Sequence, residues 1–212
     1  MWLNLALGRT RLDETRNPKR RQPPYYRHVV TRPALRSLTM AGLAAAALAV
    51  GLYVFGTQHT PDYSTSLFGK TGPDTFDLKS WLATGVLAFA AVQLGLALWM
   101  YGKLPWIGVA PRQVGPVHRA IGAVAILLTI PIAYHCVLAY GVQTGVDTRV
   151  AVHSVAGCFI YGAFLAKIVL VQSPRWRVPG WALPLVGGTL VATVGVLWYT
   201  SALWYFNDFS LP

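Results

Sequence analysis

Long apolar stretches alternate along the chain with short polar or basic breaks. Runs free of Asp, Glu, Lys and Arg extend from Ser37 to Pro61, Ser80 to Gly102, Ala120 to Val146, Val150 to Ala166 and Pro179 to Asn207. A helix needs roughly 20 apolar residues to cross about 30 Å of hydrocarbon, and each run meets or nearly meets that length. The fourth is cut short by Lys167, whose long stem lets its ammonium snorkel to the headgroups from near a helix end. The pattern predicts an all-α polytopic bundle of five transmembrane helices, near residues 38–57, 81–101, 118–140, 150–171 and 181–206 of a membrane domain spanning 37–206. Residues 1–36 are then a basic N-terminal segment and 207–212 a short tail.

Composition points the same way, with 54% apolar and only 12% charged residues against the quarter charged that is usual in soluble domains. Basic residues decide the orientation. With the N-terminus cytoplasmic, 15 of the 18 Lys and Arg lie inside, leaving Lys70, Lys79 and Arg149 outside, as the positive-inside rule requires. The C-terminus is then external and the expected location is the cell membrane. The net charge of +11 is mostly this topology, so no nucleic-acid partner is expected; the basic segment is better read as attracted to anionic membrane lipid. MWLNLALG at the start lacks the charged n-region of a signal peptide. Gly-Lys-Thr-Gly in the first external loop lacks the spacing of a phosphate loop, and no Rossmann fingerprint is present.

The chemistry worth testing lies in the histidines. Of five, His28 falls in the basic segment, while His118, His135 and His153 sit in or at the ends of the third and fourth apolar stretches. Ionisable groups at membrane depth are costly and commonly mark pathways or cofactor sites. No carboxylate is available there to pair with them, and iron bound by neutral imidazole is the natural alternative. His118 and His135 are 17 residues apart, or roughly 25 Å along a helix, so one haem cannot use both. His135 and His153 share a depth on the outer side and are joined by a short loop. They are the candidate axial ligands of a haem b, with His59 as the substitute.

The inner side is less complete, since Met40, Met100 or His28 would have to partner His118. Arg119 and Lys167 put two cations there, for which haem propionates or a quinone carbonyl could be acceptors; both residues also satisfy the topology rule without any ligand. His118 and His153 are each followed four residues later by glycine, Gly122 and Gly157, on the same helix face. That leaves room for a flat ring or for a packed helix. Histidines serving structure or proton transfer, or a non-haem metal, are the rival explanations, and the supply of carboxylates argues against the metal. Gly42, Gly51, Gly85 and Gly95 are expected to let helix backbones approach closely. Cys136 and Cys158 are too few for a disulfide framework.

DLKSWLATG, HRAIG, PIAYHC, HSVAGCFIYGAFLAK, WALPLVGG and LWYTSALW together resemble an uncharacterised five-span membrane protein family of actinobacteria, over roughly Asp77 to Phe206. HRAIG is more loosely similar to the helix-start His-basic-x-x-Gly of b-type membrane cytochromes and ferric reductase-like transmembrane domains. The chain departs from those in having no two histidines about 13 or 14 residues apart on one helix, the spacing that would place both on one face, so a two-haem wire is not expected. Two functions of different class follow as expectations. One is a b-type cytochrome-like subunit carrying electrons between a quinone or inner-side donor and an external redox partner; the other is a cofactor-free accessory subunit of a larger membrane complex. A transporter or proton channel would be expected to show repeats or broken helices, and Pro131 is the one sign of either.

Overall fold

A computed structural model of the chain describes residues 32–174 and 178–211. The basic segment before Arg32, including His28, lies outside the described residues, as do Arg175, Trp176 and Arg177. The described residues form helices α1 (Arg32–Gln58), α2 (Pro73–Met100), α3 (Val114–His135), α4 (Thr148–Gln172) and α5 (Ala182–Trp198). A π-turn, Cys136–Tyr140, extends α3, and a second, Tyr199–Leu203, carries α5 into a last helical turn, Trp204–Phe206. All five helices, each counted with its extension, are long and apolar enough to cross a membrane. The all-α, five-span architecture read from the sequence is therefore the architecture found.

One boundary differs in a way that matters. The second helix begins at Pro73 rather than near Trp81. Proline is preorganised for a first helical turn, and Asp74 beside it complements the positive end of the helix dipole, so polar residues here extend the helix instead of ending it. Lys79, expected in an external loop, is consequently a helical residue facing the bundle. At α4 the start is set by Asp147, whose carboxylate accepts from the Val150 N–H at 2.7 Å as an N-cap.

Packing order is not chain order. The helix α4 packs against α1 on one side and α5 on the other, α5 continues to α2, and α2 to α3. Ala41, Ala166, Leu170 and Ala182 form the buried cluster where α1, α4 and the start of α5 meet. Small side chains at that junction are what membrane helices need, since lipid offers no hydrophobic drive and close van der Waals contact must hold the helices together. Although consecutive in sequence, α3 and α4 scarcely meet at backbone level. They are bridged by side chains instead, among them Tyr161, whose hydroxyl donates to Thr129 Oγ1 at 3.0 Å.

The glycines that allow close approach are not those expected. Among the described residues, a Cβ on Gly42, Gly51, Gly85 or Gly95 would meet no atom of another helix within 4 Å. On Gly162 it would strike the Ala45 carbonyl oxygen and lie 3.1 Å from Ala49 Cβ, which makes Gly162 the point where α4 receives α1. A second interlock joins the ends of α1 and α3. Gly141 has φ of +69°, and a Cβ there would lie 2.8 Å from the Gly56 carbonyl oxygen, which itself accepts from the Val142 N–H at 2.8 Å. Both the left-handed backbone and the contact require glycine. Trp198 donates from Nε1 to Thr84 Oγ1 at 2.9 Å and ties α5 to α2.

Candidate functional site

Three of the described histidines gather at the end of the bundle where α3 stops and α4 starts. His135 is 2% exposed. Its Nε2 lies 3.1 Å from the Thr65 carbonyl oxygen, which can only accept, so the proton sits on Nε2 and the lone pair on Nδ1. Facing that lone pair at 3.5 Å is Lys79 Nζ, from α2. The Lys79 ammonium also stands 4.9 Å from the ring centre of Phe76 and 4.7 Å from that of Tyr140, a cation–π seat at the bundle end. Among the described residues no carboxylate pairs with it.

His153 is held in the opposite tautomer. Its Nδ1 is 2.9 Å from Thr200 Oγ1, and the Thr200 hydroxyl spends its only proton on the Val196 carbonyl at 2.7 Å. The threonine oxygen must therefore accept from Nδ1–H, which leaves the His153 lone pair on Nε2. No hydrogen bond among the described residues uses that nitrogen. Arg149, one turn earlier on α4, donates to the Thr200 carbonyl at 2.8 Å and stacks 3.8 Å from the Trp204 ring centre. Both histidine neighbourhoods adjoin a π-turn: His135 immediately precedes one and Thr200 lies within the other. A π-turn displaces the regular ladder and frees backbone carbonyls for other donors, and such turns recur at functional sites.

His59 reaches the same end but a different partner. Its Nε2 donates to the Leu138 carbonyl at 3.2 Å, which also accepts from the Asp62 N–H at 3.0 Å, and its ring stacks on Phe55. The loop after α1 thus caps the π-turn of α3. Asp62 orders that loop by accepting from the Ser64 hydroxyl at 2.6 Å, the Ser64 N–H at 3.0 Å and the Thr65 hydroxyl at 3.3 Å. These bonds, the Ser64 hydroxyl foremost, hold the Asp62 carboxyl below the ordinary aspartate range. A depressed value means the loop is fully ordered above the unfolded range and loosens as pH falls through the folded value. The protection of the Ser64 amide against hydrogen exchange, taken relative to the intrinsic rate at each pH, should therefore fall in acid, and Asp62→Asn should make that protection low at every pH. Unchanged exchange in Asp62→Asn would show that the carboxylate does not order the loop.

At the far end of the bundle His118 sits near the start of α3. Gln93 of α2, 8% exposed, donates from Nε2 to the His118 carbonyl at 2.6 Å. Its Oε1 and His118 Nδ1 are both buried without a partner among the described residues. The room expected at Gly122 is taken by Gln93, whose Oε1 would lie 3.3 Å from a Cβ there, whereas Gly157 faces open space. Lys167 of α4 lies within electrostatic range of His118, and Arg119 is exposed. Met40 and Met100, the conceivable second ligands, are 64% and 39% exposed. The site residues predicted from sequence thus divide into His135, His153, Gly157 and the nearby His59 at one end, and His118, Gly122, Arg119 and Lys167 at the other.

Haem can be tested against these donors. His153 offers a lone pair already aimed by a hydrogen bond on its other nitrogen, the usual outer-shell support of a metal-binding histidine. Lys79 and Arg149 provide cations at the same end of the bundle, and in these respects His153 suits an iron ligand. His135 meets the condition less directly, because as it stands its lone pair faces Lys79, and ligation requires that the ammonium leave Nδ1 or the Thr65 carbonyl leave Nε2. Among the described residues no three His, Cys, Asp or Glu side chains converge as a non-haem metal would need. Both cysteines are free. Lys79, Thr200 and Gln93 were missed in the sequence. Lys79 looked like a loop charge, and Thr200 and Gln93 are single polar residues in apolar helices, a signal that exists but does not say which way they face.

The chain belongs to a family of unknown function (DUF6529), whose profile matches residues 38–212. No curated protein and no solved structure matches it.

Proposed function

We propose that this protein is a membrane-embedded, b-type cytochrome-like subunit of the cell membrane, carrying electrons between a quinone or inner-side donor and an external redox protein or respiratory-complex subunit. The observation that carries this reading is the hydrogen bonding of His153. Val196 accepts from Thr200 and Thr200 accepts from His153 Nδ1, which leaves the lone pair on Nε2 outside every hydrogen bond among the described residues, at a depth shared with His135. His153 and His135 would be the axial ligands, and Lys79 and Arg149 the cations available to propionates. Bound haem b supplies one-electron transfer. The residues of the chain fix ring orientation, exclude water from the apolar faces of α3 and α4, and place positive charge at the bundle end. A basic N-terminal segment on the cytoplasmic side and contact of the apolar helix faces with membrane lipid complete the proposal.

A second reading, a cofactor-free accessory subunit, is favoured by His135 and His59. Both nitrogens of His135 lie within hydrogen-bonding reach of neighbouring groups, and His59 is spent on Leu138; such bonds pin helices together without any ligand. A visible spectrum of the purified protein, oxidised and then dithionite-reduced, separates the two. Lys79→Met sharpens the contrast. If the ammonium serves a haem propionate, this variant should lose much of its b-type absorbance. If the protein is colourless even after haem-supplemented expression, the same variant should be as stable as wild type or more so, because it removes a cation without a carboxylate partner.

A further inference from the structure

We infer that the groove between α4 and α5 binds a phospholipid of net negative charge, its acyl chains lying against the two helices and its phosphate on Arg149. The groove is continuous. Two depressions of about 680 and 700 Å³ share Val152, Ala192 and Val196 as walls, and space on this scale takes hydrocarbon chains rather than a single ion or water. It is also open along its length, with Val152, Phe159 and Val196 42%, 44% and 40% exposed. On α4 it runs from Arg149 to Phe159 and on α5 from Thr200 to Thr189, which is roughly 16 Å of helical rise. Half of a hydrocarbon core about 30 Å thick has that depth, so the groove spans one leaflet. Its deeper hydroxyls offer a polar ligand nothing, because Thr189 donates to the Leu185 carbonyl at 2.9 Å and Thr193 to the Thr189 carbonyl at 2.8 Å, both within α5.

Arg149 stands at the shallow end. A guanidinium has five N–H donors, and one Nη donates to the Thr200 carbonyl at 2.8 Å. The other two nitrogens make no hydrogen bond among the described residues and are accessible. The carboxylate nearest in sequence, Asp147, is taken up with the Val150 N–H. A guanidinium steadied by its stack on Trp204 and reachable at headgroup depth suits the paired oxygens of a phosphate. Lys79 is a second cation at this end of the bundle, and both lie within electrostatic range of His153. A headgroup bringing its own ammonium is therefore disfavoured, and one of net negative charge is attracted. Phosphate on Arg149 leaves Lys79 for a haem propionate, and the lipid itself needs no haem.

The test is native mass spectrometry of the detergent-solubilised protein with dioleoylphosphatidylglycerol, dioleoylphosphatidylcholine and dioleoylglycerol, which share their chains and differ in headgroup. Phosphatidylglycerol is expected to be held on the order of tenfold or more tighter than dioleoylglycerol, as hydrogen bonds between charged groups require, and tighter than phosphatidylcholine. Arg149→Gln should abolish the preference. Gly195→Leu fills the groove from a position where, among the described residues, an added Cβ meets no atom of a neighbouring helix within 4 Å, so it should fold and weaken all three lipids. Wild-type protein that holds either other lipid as tightly as phosphatidylglycerol, or a Gly195→Leu protein that holds phosphatidylglycerol undiminished, would overturn the site. A wild-type dimer that Gly195→Leu converts to monomer would also overturn it, giving the groove to a second copy of the chain. A colourless protein that shows the expected lipid preference would sink the haem reading alone, and a haem-bearing protein without the preference would sink this inference alone.

Discussion

Alanine in place of His153 is expected to abolish the b-type Soret and alpha bands, and Thr200→Val to cut haem content severely although it touches no ligand atom. The threonine oxygen accepts from His153 Nδ1 at 2.9 Å. Valine keeps the shape but removes that acceptor, and a buried N–H without a partner costs about 1–3 kcal/mol. Moving the proton to Nε2 relieves the cost and consumes the lone pair that iron needs. Loss of such outer-shell partners typically lowers metal affinity by roughly 10–100-fold. Thr200→Ser, which restores the hydroxyl, should recover most of the haem, while His28→Ala should leave it unchanged. Haem per protein, measured as the pyridine haemochrome, reports each variant. A His153→Ala protein retaining full haem would remove His153 from the site, and a Thr200→Ser protein no better than Thr200→Val would mean that threonine acts by packing rather than through the proton.

How far the sequence carried this picture depends on which physical quantity each feature rests on. Length and hydropathy decide whether a segment spans a membrane, and the five spans were legible for that reason. Depth follows from helical rise, so the shared level of His135 and His153 and the remoteness of His118 could be read in advance. Rotation about the helix axis is set by packing, which no local pattern encodes in helices apolar on every side. That is why Gly42 and Gly51 looked like contact points and are not, and why Gly162 was overlooked. Local irregularity was equally hidden. Nothing in CVLAY or YTSAL announces a π-turn, yet these turns adjoin His135 and deliver Thr200 to His153 and Arg149. Lys79 shows the converse error, since a charge near a membrane surface was taken to end the hydrophobic segment when Pro73 and Asp74 had already begun the helix.

Leucine at Gly162 should detach α1 from the bundle while sparing the histidine cluster. Even a single Cβ at this position would run into the Ala45 carbonyl and press on Ala49, and the first of these is backbone that cannot swing aside. Since α4 is the principal neighbour of α1, the helices must separate, and overpacking of this kind costs about 1–3 kcal/mol and occasionally more. For a chain of this length that corresponds to a fall in thermal midpoint of roughly 2–12 °C in detergent. Gly42→Ala supplies the contrast on α1 itself. Among the described residues no atom of a neighbouring helix lies within 4 Å of its added Cβ, and alanine favours the helix by about 1 kcal/mol over glycine, so its midpoint should hold or rise. His153, Thr200, Lys79 and His135 come from α4, the π-turn after α5, α2 and α3, none of them α1. Any haem in Gly162→Leu should therefore persist at temperatures below the lowered transition. Loss of colour in the still-folded variant would mean that α1, through His59 and the loop to Thr65, contributes directly to holding the haem.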